Sequence, residues 1–495
     1  MSKRKRGAAS AEQIPNSKPS KIAKTNGQPH DRLTDHVIQI VTGSYERVLH
    51  GLTATVSRSS EESDSRSVQF ADTFLFNAHS SAIKCLAISP ISDQLSGESE
   101  TVLLASGGTD ERINLYSLSA RPPIENQKMP SVPSLSGNRI TENPQNREIG
   151  SLLNHSSTIT SLHFPTRSKL LSSAEDNSIA ISRTKDLTTI STVKAPQPKA
   201  QGQPSGDTAP QGMIPSGVND FAVHPSMKLM VSVGKGERCM RLWNLVTGKK
   251  AGVLNFGREI MECVKEGRYS HGEGRRIEWS PNGSEFAVAF ERGAVVFGED
   301  SKPKCRLLPE PPTKVHQMCY KRFGSDMEAT NDVLAVSTED GRILFYSTTT
   351  LKKQQDCNDE PTEKSIPDAT LLAQLSGKDA GVSGRIKDFE IIALLTPEEH
   401  DSTSFIVTAS SDGSIRIWQF TLDDFLGKMP ERKSRGKVAQ IGKLIGTYET
   451  GSRTTCLKAF LMQPSGPEEG FSEFEGLTED GEDTSSNDDS LDGAK

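Results

Sequence analysis

Aromatic residues make up only 5% of the 495 residues and the apolar fraction stops at 34%. Both are low for a chain folded throughout, so part of it is expected to be tails and loops. No apolar run reaches the roughly 18–20 residues that cross a bilayer. The basic start MSKRKRGAASAEQIPNSKPSKIAK has no apolar segment behind it, so neither a secretory signal nor a membrane partner is expected. The seven cysteines (Cys85, Cys239, Cys263, Cys305, Cys319, Cys357, Cys456) are scattered and never form C-x-x-C. They read as reduced, partly buried thiols, not as a disulfide framework or a zinc site. A phosphate-binding glycine loop, H-E-x-x-H, G-x-S-x-G and the kinase signatures are all missing. We therefore expect no catalytic residue, metal, cofactor or small-molecule substrate, and hence no enzyme.

What is present is a polarised charge distribution and a repeat. The net charge is −6. The first residues carry Lys3, Arg4, Lys5, Arg6, Lys18, Lys21 and Lys24 against Glu12, whereas residues 468–495 carry eleven carboxylates against Lys495. A basic head, a near-neutral body and an acidic tail follow.

Within the body one pattern recurs: a strand ending in small residues, an acidic turn, and an alternating strand closing on an aromatic. The clearest copy is FIVTASSDGSIRIWQF, residues 405–420, where Asp412-Gly413 is a hairpin signal between period-two strands. The others are 102–118 (Asp110, Tyr116), 169–182 (Asp176), 228–245 (Glu237, Trp243), 285–297 (Glu291, Phe297) and 333–347 (Asp340, Tyr346). Each is preceded by a further strand: AIKCLAIS, TITSLHF, GVNDFAVHP, RRIEWSPNG, VHQMCY and RIKDFEII. Six copies leave fragments at both ends. HVIQIVTGSYERVLHGLTATV (36–56) has the middle strands of a repeat without a first strand, and TTCLKAFLM (454–462) is a first strand with nothing after it. Joined, with 70–76 as the outer strand, they complete a seventh unit and close a ring.

These residues resemble the WD-repeat family. His79 and His155 sit where its "G-H" element falls, and Ser106, Asp110 and Tyr116 match its serine, aspartate and aromatic positions. The resemblance implies an all-β, seven-bladed WD-repeat β-propeller closed by pairing of its N- and C-terminal strands. It also implies that His79, Ser106, Asp110, Tyr116, His155, Asp176, Trp243, Asp340, Asp412 and Trp418 are structural. In that family His, Ser/Thr, Asp and Trp tie the strands of a blade together, and a buried aspartate needs such donors. Recurrence at blade spacing argues against a Ser-His-Asp catalytic triad, which belongs to one site. In a propeller the residue before the turn acid lies on one rim, which makes Tyr45, Thr109, Glu175, Glu339 and Ser411 partner-binding candidates, with Arg385 and Lys387 nearby.

The expected organisation is a disordered basic segment over 1–35, the propeller over 36–463, and a disordered acidic tail over 464–495. Insertions at about 119–150, 193–216, 353–368 and 421–440 are poor in apolar residues and are expected to be disordered. The last contains Lys428, Arg432, Lys433, Arg435 and Lys437, read first as a solvated loop and second as a basic contact for RNA or an acidic protein. The basic clusters of the head fit a nuclear-import signal. Ser485 and Ser486 precede acidic residues and are candidate phosphorylation sites.

The segments VTGSYERVLHGL, HSSTITSLHF, HPSMKLMVSVGKGERCMRLWNLVTGK and TASSDGSIRIW, from about Val37 to Leu461, resemble the p21-activated-kinase-interacting-protein family. Its fungal members are maintenance-of-killer WD proteins of ribosome biogenesis. That resemblance implies a nucleolar scaffold for assembly of the large (60S) ribosomal subunit, binding assembly factors, ribosomal proteins and pre-rRNA. The alternatives are an adaptor that negatively regulates a p21-activated protein kinase, and a substrate receptor of a ubiquitin-ligase or chromatin complex.

Overall fold

Period-two apolar patterning broken by tight turns makes strands, and the chain is built from them. The structure is a computed structural model describing residues 35–57, 68–91, 101–123, 139–197, 216–267, 270–323, 332–352, 366–382, 384–394, 403–421, 424 and 439–463. The basic clusters at 3–24, the acidic tail with Ser485 and Ser486, Cys357, and the basic cluster at 428–437 lie outside the described residues.

Among the described residues the sheets divide into seven antiparallel four-stranded quartets. Quartet 1 comprises Ile83–Ile88, Thr101–Gly108, Ile113–Ser119 and Arg147–Leu152. Quartet 2 comprises Ile159–Thr166, Lys169–Ala174, Ser178–Arg183 and Thr189–Lys194. Quartet 3 comprises Val218–Val223, Leu229–Gly234, Cys239–Asn244 and Lys249–Asn255. Quartet 4 comprises Arg276–Trp279, Glu285–Ala289, Ala294–Gly298 and Pro303–Leu307. Quartet 5 comprises Val315–Arg322, Asp332–Thr338, Arg342–Lys352 and Asp368–Ser376. Quartet 6 comprises Ile386–Ala393, Thr403–Ser410, Ser414–Thr421 and Lys443–Glu449. Quartets 4 and 5 touch through one parallel pair, Arg306 with Asp368, which merges them into an eight-stranded sheet.

Quartet 7 is composite. Thr454–Leu461 from the chain's end pairs antiparallel with His36–Ser44, from Ile38↔Leu461 to Ser44↔Thr454. His36–Ser44 then pairs with Val48–Val56, and that strand with Val68–Asn77. The first strands of the quartets touch one another in cyclic order, from quartet 1 through quartet 7 and back to quartet 1.

An apolar cluster fills each junction between neighbouring quartets. The alternation of a strand explains how one strand serves two junctions. Ile406 packs toward quartet 5 with Phe389 and Trp418, and Val407 packs toward quartet 7 with Ile38 and Leu457. Junctions are tight where glycine permits it. A Cβ on Gly43 would lie 2.6 Å from Ile83 Cγ2, and one on Gly107 would lie 2.7 Å from Ile159 Cγ2.

Part of the stretch 119–150, expected to be disordered, is strand. Arg147–Leu152 is the fourth strand of quartet 1, and Arg139–Ile140 pairs in parallel with Ala71 and Asp72. A fourth strand is an outer edge, here mostly exposed, so it needs few apolar residues and its composition resembles a loop. The ends of the other insertions behave alike: Val193, Asp368 and Thr421 all lie in strands.

Candidate functional site

The blade networks take shape in quartets 1 and 2. His79 Nδ1 lies 2.9 Å from Asp110 Oδ1, and its Nε2 lies 2.8 Å from Ser106 Oγ. Asp110 also accepts the N–H of Ser80 at 2.9 Å. Burial opposes ionisation of Asp110, but the Ser80 N–H and His79 outweigh it and hold the carboxyl below its usual range. Tyr116, in the aromatic place, is buried at the quartet 7 junction, where burial raises its hydroxyl pKa to about 12. In quartet 2, His155 Nδ1 lies 3.2 Å from Asp176 Oδ2 and Nε2 lies 2.8 Å from Ser172 Oγ. Burial again opposes ionisation, yet donation from His155, Ser178 and the Ser156 N–H drives Asp176 well below the usual range. Ser106 is 0% and Ser172 1% exposed. Each serine is sealed between strands, and these trios tie the strands together.

Elsewhere arginine takes the histidine's part. Asp340 accepts from Thr338 Oγ1 at 2.5 Å and from Arg342 Nε at 2.8 Å. Asp412 accepts the Ser414 N–H at 3.0 Å and faces Arg416 at 3.8 Å. Trp243 Nε1 donates to Ser232 Oγ at 2.8 Å, whereas the indole N–H of Trp418 is buried without a partner among the described residues. In quartet 3 Gly236 stands in the aspartate's place, and Glu237, one residue on, grips Arg241 as Asp412 faces Arg416. Further acids come from the connection 256–275, which sequence reasoning overlooked. Glu273 accepts the Gly236 N–H at 2.6 Å, and Glu266 accepts the N–H groups of Glu291 and Arg292 at 2.7 and 3.3 Å.

The residues proposed for partner contact share one rim, for a backbone reason. Each donates its N–H to the carbonyl just before a first strand: Tyr45 to Arg453, Thr109 to Ala82, Glu175 to Thr158, Glu339 to Lys314 and Ser411 to Arg385, all at 2.9–3.0 Å. Lys235 makes the same bond to Gly217 at 2.8 Å, so it belongs to this set although the shifted acid concealed it. Rim side chains also bridge quartets, through Lys235–Glu175 at 3.2 Å, Lys314–Glu291 at 2.8 Å and Arg385–Glu339 at 3.1 Å. Tyr45 is 62% exposed, with the Arg453 guanidinium 6.0 Å from its ring centroid.

Inside the ring the first strands enclose a cavity of about 590 Å³, lined by charged groups including Arg276, Glu278, Lys321, Asp388, Glu390 and Lys458. Lys458 pairs with Glu390 at 2.8 Å. Asp388 accepts the Leu457 N–H at 2.9 Å and Asp220 accepts the Ile277 N–H at 3.1 Å, each reaching the next quartet. Burial, then the nearby Asp220, pushes Glu278 up to about 8. Among the described residues no cluster of His, Cys, Asp and Glu is arranged to hold a metal ion, and no helix is long and apolar enough to cross a membrane.

Repeated four-stranded sheets, cyclic first strands and His–Asp turn networks define a WD β-propeller, and the chain carries WD40 repeats: the model for the WD domain, G-beta repeat, matches residues 71–117, 146–181 and 399–419. Over most of its length the chain has homologues among p21-activated protein kinase-interacting protein 1-like proteins and yeast MAK11. The Gallus gallus p21-activated protein kinase-interacting protein 1-like is 24% identical, with 86% of this chain and 82% of that protein covered. Protein MAK11 of Saccharomyces cerevisiae is 26% identical, with 85% and 82% covered. Shk1 kinase-binding protein 15 of Schizosaccharomyces pombe is 22% identical, with 77% of each covered.

Proposed function

We propose that the seven quartets are seven blades of a disc that works without catalysis, as a nucleolar scaffold in assembly of the large ribosomal subunit. The observation that carries a binding role is the rim: one backbone bond, repeated from turn to turn, presents Tyr45, Thr109, Glu175, Lys235, Glu339 and Ser411 at equivalent positions. Rigid elements that hold side chains in fixed relation suit recognition of a shaped partner. The ribosomal assignment rests on the resemblance to the fungal members and on the charge layout. Lys3, Arg4, Lys5, Arg6, Lys18, Lys21 and Lys24 would serve nuclear import, and the tail's carboxylates suit ribosomal proteins and other basic partners. Affinity purification of the tagged full chain tests this reading. Large-subunit rRNA precursors and assembly factors are expected to dominate, and a kinase or cullin complex recovered without ribosomal precursors would overturn it.

The second reading, an adaptor for a p21-activated protein kinase, is favoured by the names of the animal relatives. Kinase activity measured with and without the purified chain separates the two.

A further inference from the structure

The second residue of each first strand, or in quartet 4 Arg275 just before it, marks one position around the ring, where Lys84, Lys387 and Thr455 line the cavity, and its chemistry divides the ring. Thr160, Asn219 and Thr455 are neutral. Each donates to a carbonyl of the following quartet: Thr160 to Val218 at 2.7 Å, Asn219 to Gly274 at 2.8 Å and Thr455 to Ile83 at 2.7 Å. These bonds stitch adjacent first strands together. In the other quartets of this series the position is basic. Arg275 is occupied by Glu291 at 3.5 Å, but Lys84, His316 and Lys387 make no such stitch. Among the described residues neither lysine forms an ion pair, and His316 Nε2 is buried without a hydrogen-bond partner.

Lys387, Lys84 and Arg453 lie in quartets 6, 1 and 7, side by side around the seam. Lys84 and Lys387 line the same cavity, and burial, then Arg385, Arg453 and Lys84, lowers the pKa of Lys387. The acid that opposes this shift, Glu339, is already held by Arg385 at 3.1 Å. Like charges gathered without counter-charges at a concave mouth raise each other's energy, and an anion relieves it. On the far side of the ring the connection 256–275 ties down the turns of quartets 3 and 4, whereas on the seam side Lys84 and Arg453 are exposed.

We propose that Lys84, Lys387 and Arg453 receive a carboxylate side chain from an extended acidic peptide segment of a partner protein. This rests on the scaffold reading above and names the chemistry of one of its contacts. The remaining rim selects against a nucleic-acid backbone. Its cations Lys235, Lys314 and Arg385 are each held by a glutamate (Glu175, Glu291 and Glu339), so a phosphate run would meet paired charges at successive turns, whereas a lone acidic side chain between neutral neighbours needs only the seam cations. Tyr45, exposed beside Arg453, offers the flanking residues an aromatic face.

The test uses the full chain and a fluorescein-labelled peptide of alternating glutamate and serine, read by anisotropy. Replacing both lysines (K84Q with K387Q) is expected to weaken binding by at least about tenfold, as for loss of charge-assisted bonds. K84R with K387R, which keeps the charge, should bind like the parent, and so should K302Q, which removes an exposed lysine in the connection between the third and fourth strands of quartet 4. If the double glutamine variant melts early, Arg453→Gln, at an exposed position, replaces it with the same expectation. Unchanged peptide binding in folded glutamine variants overturns the proposal. So does labelled polyuridylate that binds as tightly and loses as much, because the mouth then reads phosphate. A rise of about tenfold on deleting 468–495 also overturns it, because the chain's own tail then fills the mouth. Pre-ribosomal particles purified with K84Q/K387Q separate the two claims. Peptide binding that fails while wild type still recovers precursors sinks only the mouth, and wild type without precursors sinks the scaffold reading.

Discussion

Removing the last strand should unfold the ring. Truncation after Arg453 deletes Thr454–Leu461, which supplies the first strand of quartet 7 and contacts the first strands of quartets 6 and 1. Its side chains alternate between two junctions: Leu457 and Ala459 join the cluster shared with quartet 6, and Cys456 and Phe460 the cluster shared with quartet 1. Leu457 is 0% and Phe460 3% exposed. Loss of a buried Leu costs about 2–5 kcal/mol and of a buried Phe about 3–5 kcal/mol, so these two alone remove roughly 5–10 kcal/mol from a domain worth about 5–15 kcal/mol. The buried Asp388 carboxylate also loses the Leu457 N–H it accepts, and Glu390 loses Lys458. His36–Ser44 becomes an open edge whose Ile38, Ile40 and Val41 were fully buried. Circular dichroism melts of the truncated chain, of Leu457→Ala, and of chains lacking 1–24 or 468–495 provide the assay. The truncation should abolish the cooperative transition and Leu457→Ala should lower the midpoint, while the two tail deletions leave it unmoved. A truncated chain melting within about 2 °C of the parent, against a loss of roughly 5–10 kcal/mol at about 1 °C per kcal/mol for a domain of this size, would refute the closure by the chain's two ends.

Other perturbations give distinct signatures. Asp176 has a folded pKa held below its unfolded value, so its stabilisation is full above about pH 4 and is lost as pH falls through the folded value. Asp176→Asn should therefore cost about 1–3 kcal/mol at neutral pH, and urea titrations at successively lower pH should show the gap from wild type closing. Glu278 has the opposite sign: its folded pKa of about 8 lies above its unfolded value, so stability declines as pH rises between the two and levels off beyond the higher. Glu278→Gln should remove that decline, and midpoints equal to wild type on both sides of the window would contradict it. Glu273→Gln and Glu266→Gln should raise amide exchange at Gly236 and at Glu291–Arg292, whose N–H groups these carboxylates hold. Deleting 1–24 should reduce nuclear accumulation of the tagged chain by microscopy without changing its melt.

The repeats were legible because strand alternation and the Asp-Gly turn are local signals. Residues 102–118 and 405–420 are middle-strand hairpins, as read, and the match of the 36–56 and 454–462 fragments anticipated the observed pairing. Glu237 was misplaced because an acid one residue from the expected position looks the same in sequence. Only the fold shows Gly236 in the turn and Glu273 arriving from a distant connection. Arg147–Leu152 was hidden by its outer-edge exposure. The cavity charges were invisible for another reason: Asp220, Glu278, Asp388 and Lys458 come from separate quartets and meet only when the ring closes.

The most direct test of the scaffold account is depletion of the protein with pulse-labelling of ribosomal RNA, alongside assay of p21-activated kinase activity in the same cells. The account expects large-subunit precursors to accumulate and mature large-subunit RNA to fall, restored by the wild-type chain and not by the chain truncated after Arg453. Normal large-subunit RNA together with raised kinase activity would contradict it.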